Sequence, residues 1–250
     1  MKDNALVKMV NISKRFAGVR ALVGVDCELN HNEIIGLVGD NGAGKSTLIK
    51  ILSGVYPPDE GEIFIEGRKV HITNPNDAKS LGIETVYQEL GLVNTCFVGK
   101  NIFLGREPTR RGIGKLLRVY DEQKMEKESI RILKTIGVDA DIRFVRKLPS
   151  ELSGGERQSV AIAKCMVSRP RILIFDEPTA AISVKERAKV LGFMSALREK
   201  NISGVFISHN LQEVFSVVDR VLVLGRGVLV RNEKIEDITI DEVVRLMVAQ

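Results

Sequence analysis

Long apolar runs are missing from this chain. The longest, "RILIFDE" and "RVLVLG", fall far short of the roughly 20 residues that a membrane-spanning helix needs. The amino-terminal stretch "MKDNALVKMV" lacks the apolar segment of a secretory signal, which predicts a protein that stays in the cytosol. Cysteine is scarce. Cys27, Cys96 and Cys165 are scattered, no C-x-x-C pair occurs, and they read as reduced structural residues, not metal ligands. Tryptophan is absent, and there is no internal repeat or low-complexity segment. Charge is nearly balanced. A formal net charge of +5 fits a nucleotide, a nucleic acid or a membrane surface and selects none of them. What is present is ordinary for a globular protein: 250 residues, 44% hydrophobic and 28% charged, enough to bury a core as one large domain or two modest ones.

Periodicity divides the chain. "ALVKMVNISKRF" reads as a strand running into a turn. "VDCELNHNEIIGLVG" reads as a strand, a polar turn at Asn30–Asn32 and a buried strand ending at Gly39. "GEIFIEGRKVHI" alternates around Glu66 and Gly67, a hairpin signal. From Asp121 the period changes: Met125, Ile132, Leu133 and Ile136 fall on one helical face, with Asp121 placed to cap it. Beyond Pro149 come a helix from about Glu156, strand "RILIFD", a helix near Val184–Lys200, strand "GVFIS", a helix from Leu211 and strand "RVLVL". This alternation predicts an α/β protein with a mostly parallel sheet covered by helices. The stretch from Glu89 to Pro149 reads as a helical insertion. Its basic run "REPTRRGIGKLLR" reads as a solvated face, with lipid headgroups or a membrane partner as the alternative.

Chemistry enters with "LVGDNGAGKSTLIKIL". Gly39 to Ser46 fits the phosphate-binding pattern G-x-x-x-x-G-K-S/T, after a predicted strand and before a predicted helix. Glycines there let backbone N–H groups converge on phosphate oxygens, and the helix start adds a favourable dipole. Asp40, Asn41, Gly42, Ala43 and Gly44 complete the loop. Lys45 is placed to reach the β- and γ-phosphates of a nucleotide, Ser46 to ligate Mg²⁺, and Thr47 to lie near the α-phosphate. Downstream, "RILIFDEP" ends a strand in two carboxylates on opposite faces. Asp176 suits the Mg²⁺ shell and Glu177 suits a general base that polarises water; solvated acids at a strand end are the plainer reading. A third feature is "ELSGGERQSVAIAKCM". Ser153, Gly154 and Gly155 open a helix as a second anion site, and Ser153 with Glu156 also fits a capping box.

In order, "GDNGAGKST", Gln88, "LSGGE", "ILIFDEP" and "SHN" resemble the ATP-binding subunit of an ABC transporter over essentially the whole chain. The resemblance implies a RecA-like P-loop NTPase core, an N-terminal antiparallel β-subdomain and an inserted α-helical subdomain. It implies one domain over 1–250, with 1–88 and 150–250 as core and 89–149 as helical insertion. It also implies a second cassette, head to tail, with each ATP held between one chain's P-loop and the other's signature turn. Gln88 becomes the residue that senses Mg²⁺ and the γ-phosphate. His209 becomes the switch histidine that holds the water and Glu177 in line, and Phe16 the ring on which adenine stacks, with Val25 on its other face. His31 and His71 receive no role.

Ala180, Ala181, Ile182 and Ser183 stand where many relatives have Ser-Ala-Leu-Asp. With "LSGGERQSVAIA", "GREP" and "VYQEL", this variant resembles the cassettes of simple-sugar importers. The resemblance then implies multi-span permease subunits, an external sugar-binding protein acting indirectly, and a peripheral site on the cytoplasmic face of the cell membrane. Two copies, or one copy with a homologous half, are expected to pair, since the chain stops at Gln250 after one cassette. A contact role for Glu89–Ile102 toward the permease follows from the same resemblance. A soluble ABC-type ATPase acting on nucleic acid or ribosomes is the rival, but no long heptad insertion and no second cassette with a charged linker is present. A small-molecule kinase shares the P-loop and leaves the signature turn, Gln88 and His209 unexplained.

Overall fold

The computed structural model describes residues 5–110, 119–180 and 182–248. Ala181, residues 111–118 of the basic run, and Gln250 lie outside the described residues. The chain forms two compact units: Met1–Thr85 with Pro170–Pro178 and Met194–Gln250, and Val86–Arg169 with Thr179–Phe193.

The first unit holds two sheets. Strands β1 (Ala5–Phe16), β2 (Val19–Asn30), β4 (Glu60–Ile65) and β5 (Arg68–Val70) form an antiparallel sheet in the order β2-β1-β4-β5. Its hairpins use two left-handed residues each, Ala17 (φ 43°) with Gly18 (φ 90°) and Glu66 (φ 50°) with Gly67 (φ 74°), the backbone that a two-residue turn between twisted strands requires. The second hairpin is the one predicted from sequence.

The larger sheet runs β10-β9-β3-β8-β7-β6, with β3 (Ile34–Val38), β6 (Ile83–Val86), β7 (Ile172–Asp176), β8 (Ser203–Ile207), β9 (Arg220–Gly225) and β10 (Val228–Lys234). The β3–β8, β3–β9 and β7–β8 pairs are parallel, and β10 returns antiparallel on β9. Strands β3 and β8 are buried at every position, which is why "IIGLV" and "GVFI" are apolar throughout instead of alternating. Helices α1 (Lys45–Leu52), α2 (Pro75–Ser80), α8 (Leu211–Val217) and α9 (Ile240–Val248) belong to this unit. Of these elements, α2, β6, β10 and α9 are not among those that the sequence patterning predicts.

The second unit contains α3 (Val98–Ile102), α4 (Glu122–Thr135), α5 (Ile142–Val145), α6 (Gly154–Met166) and most of α7 (Val184–Ser195). Asp121 accepts the Lys124 N–H and caps α4, whose buried face includes Met125, Ile132 and Leu133. The grouping reaches beyond 89–149 because α6 packs its buried face against α3 and α4. Helix α7 stops at Ser195, short of the expected Lys200. There i→i−3 bonds take over, as from Leu197 N–H to Met194 O at 3.0 Å, and Asn201 turns left-handed at φ 55°.

One ion pair ties the larger sheet to its neighbour. Arg220 Nε donates to Glu33 Oε1 at 2.8 Å and a terminal nitrogen donates to Glu33 Oε2 at 2.9 Å. The same guanidinium reaches Asn232 Oδ1 at 2.6 Å and Glu28 O at 2.9 Å. Both partners are nearly buried, with 11% and 12% of their side chains exposed. Removing one leaves a desolvated charge. Arg220→Met is therefore expected to destabilise the protein by about 3–5 kcal/mol, and Glu33→Met added to it to recover part of the loss. Urea midpoints of the two variants check this; an unshifted midpoint in Arg220→Met refutes it.

Candidate nucleotide-binding and catalytic site

Three adjacent parallel strands, β3, β8 and β7, end on one side of the larger sheet. In open α/β sheets ligands bind outside the carboxyl ends of strands. Those ends carry the P-loop after Val38, Asp176 with Glu177, and His209 two residues beyond Ile207.

The loop's shape is forced locally. Gly39 lies at φ +149°, and a Cβ there would fall 2.2 Å from the Leu224 carbonyl oxygen. Gly44 lies at φ +105°, where a Cβ would meet Ala21 O at 2.7 Å. Ala43 is buried between them, and its N–H bonds Asp40 O at 3.1 Å. Asp40, Asn41, Gly42 and Ser46 are exposed, and Thr47 is half-buried. Helix α1 starts at Lys45 with Gly44 as N-cap and no side-chain cap, so its first-turn N–H groups are left for a ligand. Lys45 Nζ donates to Gly39 O at 2.6 Å and Asp40 O at 2.9 Å, folded over its own loop. Burial pulls the Lys45 ammonium below the usual lysine range, against the pull of Glu177, Asp40 and Asp176.

Asp176 closes β7 opposite Ile207. Burial, with the Glu177 charge beside it, pushes its carboxyl above the usual range, while Lys50 and Lys45 pull the other way. Glu177 is not a further strand residue. It turns left-handed at φ 53° and its N–H bonds Ile207 O at 3.0 Å. That turn, not strand alternation, separates the two carboxylates. Glu177 Oε2 lies 2.7 Å from His209 Nδ1. His209 is held between Ser208, buried at 2% exposure, and Asn210, whose side chain caps α8 by accepting from Glu213 N–H. The imidazole itself is 79% exposed and Glu177 18%. An acid, its histidine partner and the P-loop lysine are thus in one electrostatic neighbourhood.

The donor set fits Mg²⁺. Asp176 and Ser46 offer hard oxygen ligands; burial first and the Glu177 charge second push the Asp176 carboxyl up, and a divalent cation would favour its ionised form. No cluster of three acidic, histidine or cysteine residues that could cage a metal exists among the described residues. Mg²⁺ suits such a site, since it keeps waters and takes substrate phosphates as ligands.

Phe16 ends β1 at the hairpin corner, 38% exposed. Tyr56 meets its ring edge-on at 5.1 Å, and Lys14 Nζ lies 5.7 Å from its centroid. Val25 does not face a ligand. It is 0% exposed, because β2 alternation turns it into the core between the sheets. Cys27 shares that core, where burial pushes its thiol up to about 12, which agrees with a structural role.

In the second unit, Gln88 lies two residues past β6 and is exposed. Ser153 caps α6 as the sequence predicts: its Oγ accepts the Glu156 N–H at 3.2 Å and its N–H donates to Glu156 at 2.8 Å. Gly154 is half-buried and Gly155 buried. Glu186 was missed: its carboxylate accepts from Ser153 Oγ at 2.6 Å. The signal was Ser183 followed three residues on by glutamate, a second capping box. Asn101, 0% exposed, was missed too. It bonds Val93, Cys96 and Phe97 and shapes the loop before α3.

Comparison with known proteins agrees with this geometry. The profile of the ABC transporter family matches residues 22–180. The chain is 40% identical to the xylose/arabinose import ATP-binding protein XylG of Sulfolobus acidocaldarius, over 97% of this chain and 93% of that one. It is 46% identical to the ribose import ATP-binding protein RbsA 1 of Rubrobacter xylanophilus over 98% of its own length, and spans about half of that relative, 47%. Among solved structures, the dimeric post-hydrolysis state of an ATP-binding cassette bound to ADP and Pi superimposes with TM-score 0.76 at 26% identity, covering 92% of this chain and 98% of that one. The chain belongs to the ABC transporter family and is one of its ATP-binding cassettes.

Proposed function

We propose that this cassette hydrolyses ATP, paired with a second cassette, to power import of a simple sugar through a membrane permease. The observation that carries the chemistry is the Glu177–His209 contact at 2.7 Å beside the P-loop lysine. Glu177 takes a proton from the attacking water, and His209 holds Glu177 and the γ-phosphate in line. Lys45 exchanges its carbonyl partners for phosphate oxygens, and the first-turn N–H groups of α1 receive the rest. Asp176 and Ser46 would hold Mg²⁺, which supplies charge neutralisation at the phosphates; Gln88 senses the occupied site. Phe16 offers its exposed ring to adenine. Ser153, Gly154 and Gly155 meet the γ-phosphate bound by the partner cassette, as the dimeric likeness supports.

Sugar import is supported by the relatives, which are named for import of xylose, arabinose, ribose and fructose. No helix among the described residues is long and apolar enough to cross a membrane; in this reading a separate permease supplies the pathway. Its docking place is a groove of about 180 Å³ on the second unit, lined by Phe97, Lys100, Met125, Val145 and Arg146. Phe97, 47% exposed, is one of its lining residues and belongs to the Glu89–Ile102 segment. In this reading the chain is a peripheral subunit on the cytoplasmic face of the membrane.

Affinity isolation from gently solubilised native membranes tests the reading. Recovery of a multi-span permease, lost on Phe97→Asp, is the expected result. Recovery only with ribosomes or DNA overturns it and leaves the ATP site standing.

A further inference from the structure

The start of α6 is already engaged by an anion. Ser153 Oγ accepts from Glu156 N–H at 3.2 Å and gives its own proton to Glu186 Oε1 at 2.6 Å. The Gly155 backbone lies against the same carboxylate and helps Ser153 and Ser183 hold it below the usual carboxylate range. Glu186 Oε2 receives the Ser183 N–H at 3.2 Å and Ser183 Oγ at 3.0 Å, while Glu186 N–H reaches back to Ser183 Oγ at 3.4 Å. One carboxylate therefore joins the first turns of α6 and α7. It lies so close over Gly155 that a Cβ there would fall 2.2 Å from Glu186 Cδ.

The donors in question, a serine hydroxyl and a backbone N–H at a helix start, are those that bind phosphate oxygens. Both cannot be given to two anions at once. We infer that Glu186 is a gate on the signature turn, holding Ser153 and Gly155 within its own chain until ATP carried by a second cassette displaces it. This rests on the reading of that turn as a nucleotide contact. A γ-phosphate carries more charge and more acceptor oxygens than one carboxylate, so it wins at high occupancy and loses at low occupancy. Displacement is a side-chain swing and not an unfolding step: the carboxylate leaves Ser153 and Ser183 together, but the Glu186 N–H keeps its bond to Ser183 Oγ at 3.4 Å, so α7 remains capped. Ser183 suits the device. Its hydroxyl donates to Glu186, whereas an aspartate at this place would repel it.

The gate sets the ATP concentration at which cassettes pair, without touching the P-loop that binds ATP first. The test uses the full chain carrying Glu177→Gln, so that bound ATP persists. Sedimentation gives the ATP concentration at half-maximal dimer for Glu186, Glu186→Gln and Glu186→Ala, and equilibrium dialysis at dilute protein gives monomer affinity. The expected result is a five- to tenfold lower half-point in Glu186→Ala and a smaller drop in Glu186→Gln, which keeps the α7 cap, with monomer affinity unchanged. A half-point that stays or rises in both variants overturns the gate and assigns Glu186 to helix capping alone. Absence of any ATP-dependent dimer, including with Glu186 intact, overturns the nucleotide reading of the turn, and the gate with it.

Discussion

Glu177→Gln is expected to slow ATP hydrolysis by about 10²–10⁴-fold, the worth of a positioned general base, while ATP still binds. The amide has the same shape and keeps a polar contact for His209 Nδ1, now 2.7 Å from Glu177 Oε2, but it accepts no proton from water. Binding survives for an electrostatic reason. The Glu177 charge helps push the Asp176 carboxyl upward, so a neutral neighbour lets Asp176 ionise more readily. ATP affinity in the presence of Mg²⁺ is therefore expected to hold or tighten. Phosphate release and calorimetric titration on the same preparation separate the two effects. Full turnover in the variant removes Glu177 from the base role; loss of binding together with turnover makes it a structural residue of the P-loop region.

The parts of this site legible in the sequence are those set by local rules. The P-loop needs left-handed backbone at Gly39 and Gly44 next to a strand and a helix, and each requirement leaves its mark within a few residues. The Ser153 capping box and the Asp121 cap are equally local, and both are present. The Glu66–Gly67 hairpin and the fully apolar central strands follow from turn chemistry and two-sided burial.

What escaped the sequence depends on which distant segments meet. Val25 has the right type to touch a ring, but the register of β2 sends it into the core. Glu177 follows a strand, yet its orientation comes from a left-handed turn bonded to Ile207. Glu186 is separated from Ser153 by 33 residues, so its capping signal at Ser183 gave no hint of a second partner. The helical unit likewise exceeds 89–149 because side-chain packing, not sequence continuity, recruits α6.

Lys45→Ala is expected to raise the dissociation constant for ATP about 100-fold, near 2.7 kcal/mol, and to abolish measurable turnover. Among the described residues the ammonium hydrogen-bonds two backbone carbonyls of its own loop, Gly39 O and Asp40 O. Its loss therefore leaves the fold largely intact, and the thermal midpoint is expected to stay within a few degrees. The cost falls on the ligand. Lys45 offsets Glu177, Asp40 and, together with Lys50, Asp176, and without it a polyphosphate meets three carboxylates and no compensating charge from the loop. Lys45→Arg is expected to restore little, because a planar fork replaces a point charge already pulled down by burial. Fluorescence titration with ATP, beside a melting curve, distinguishes the cases. Unchanged affinity in Lys45→Ala sinks the phosphate role of the loop, whereas a collapse of the melting midpoint makes Lys45 a clamp that holds the loop itself.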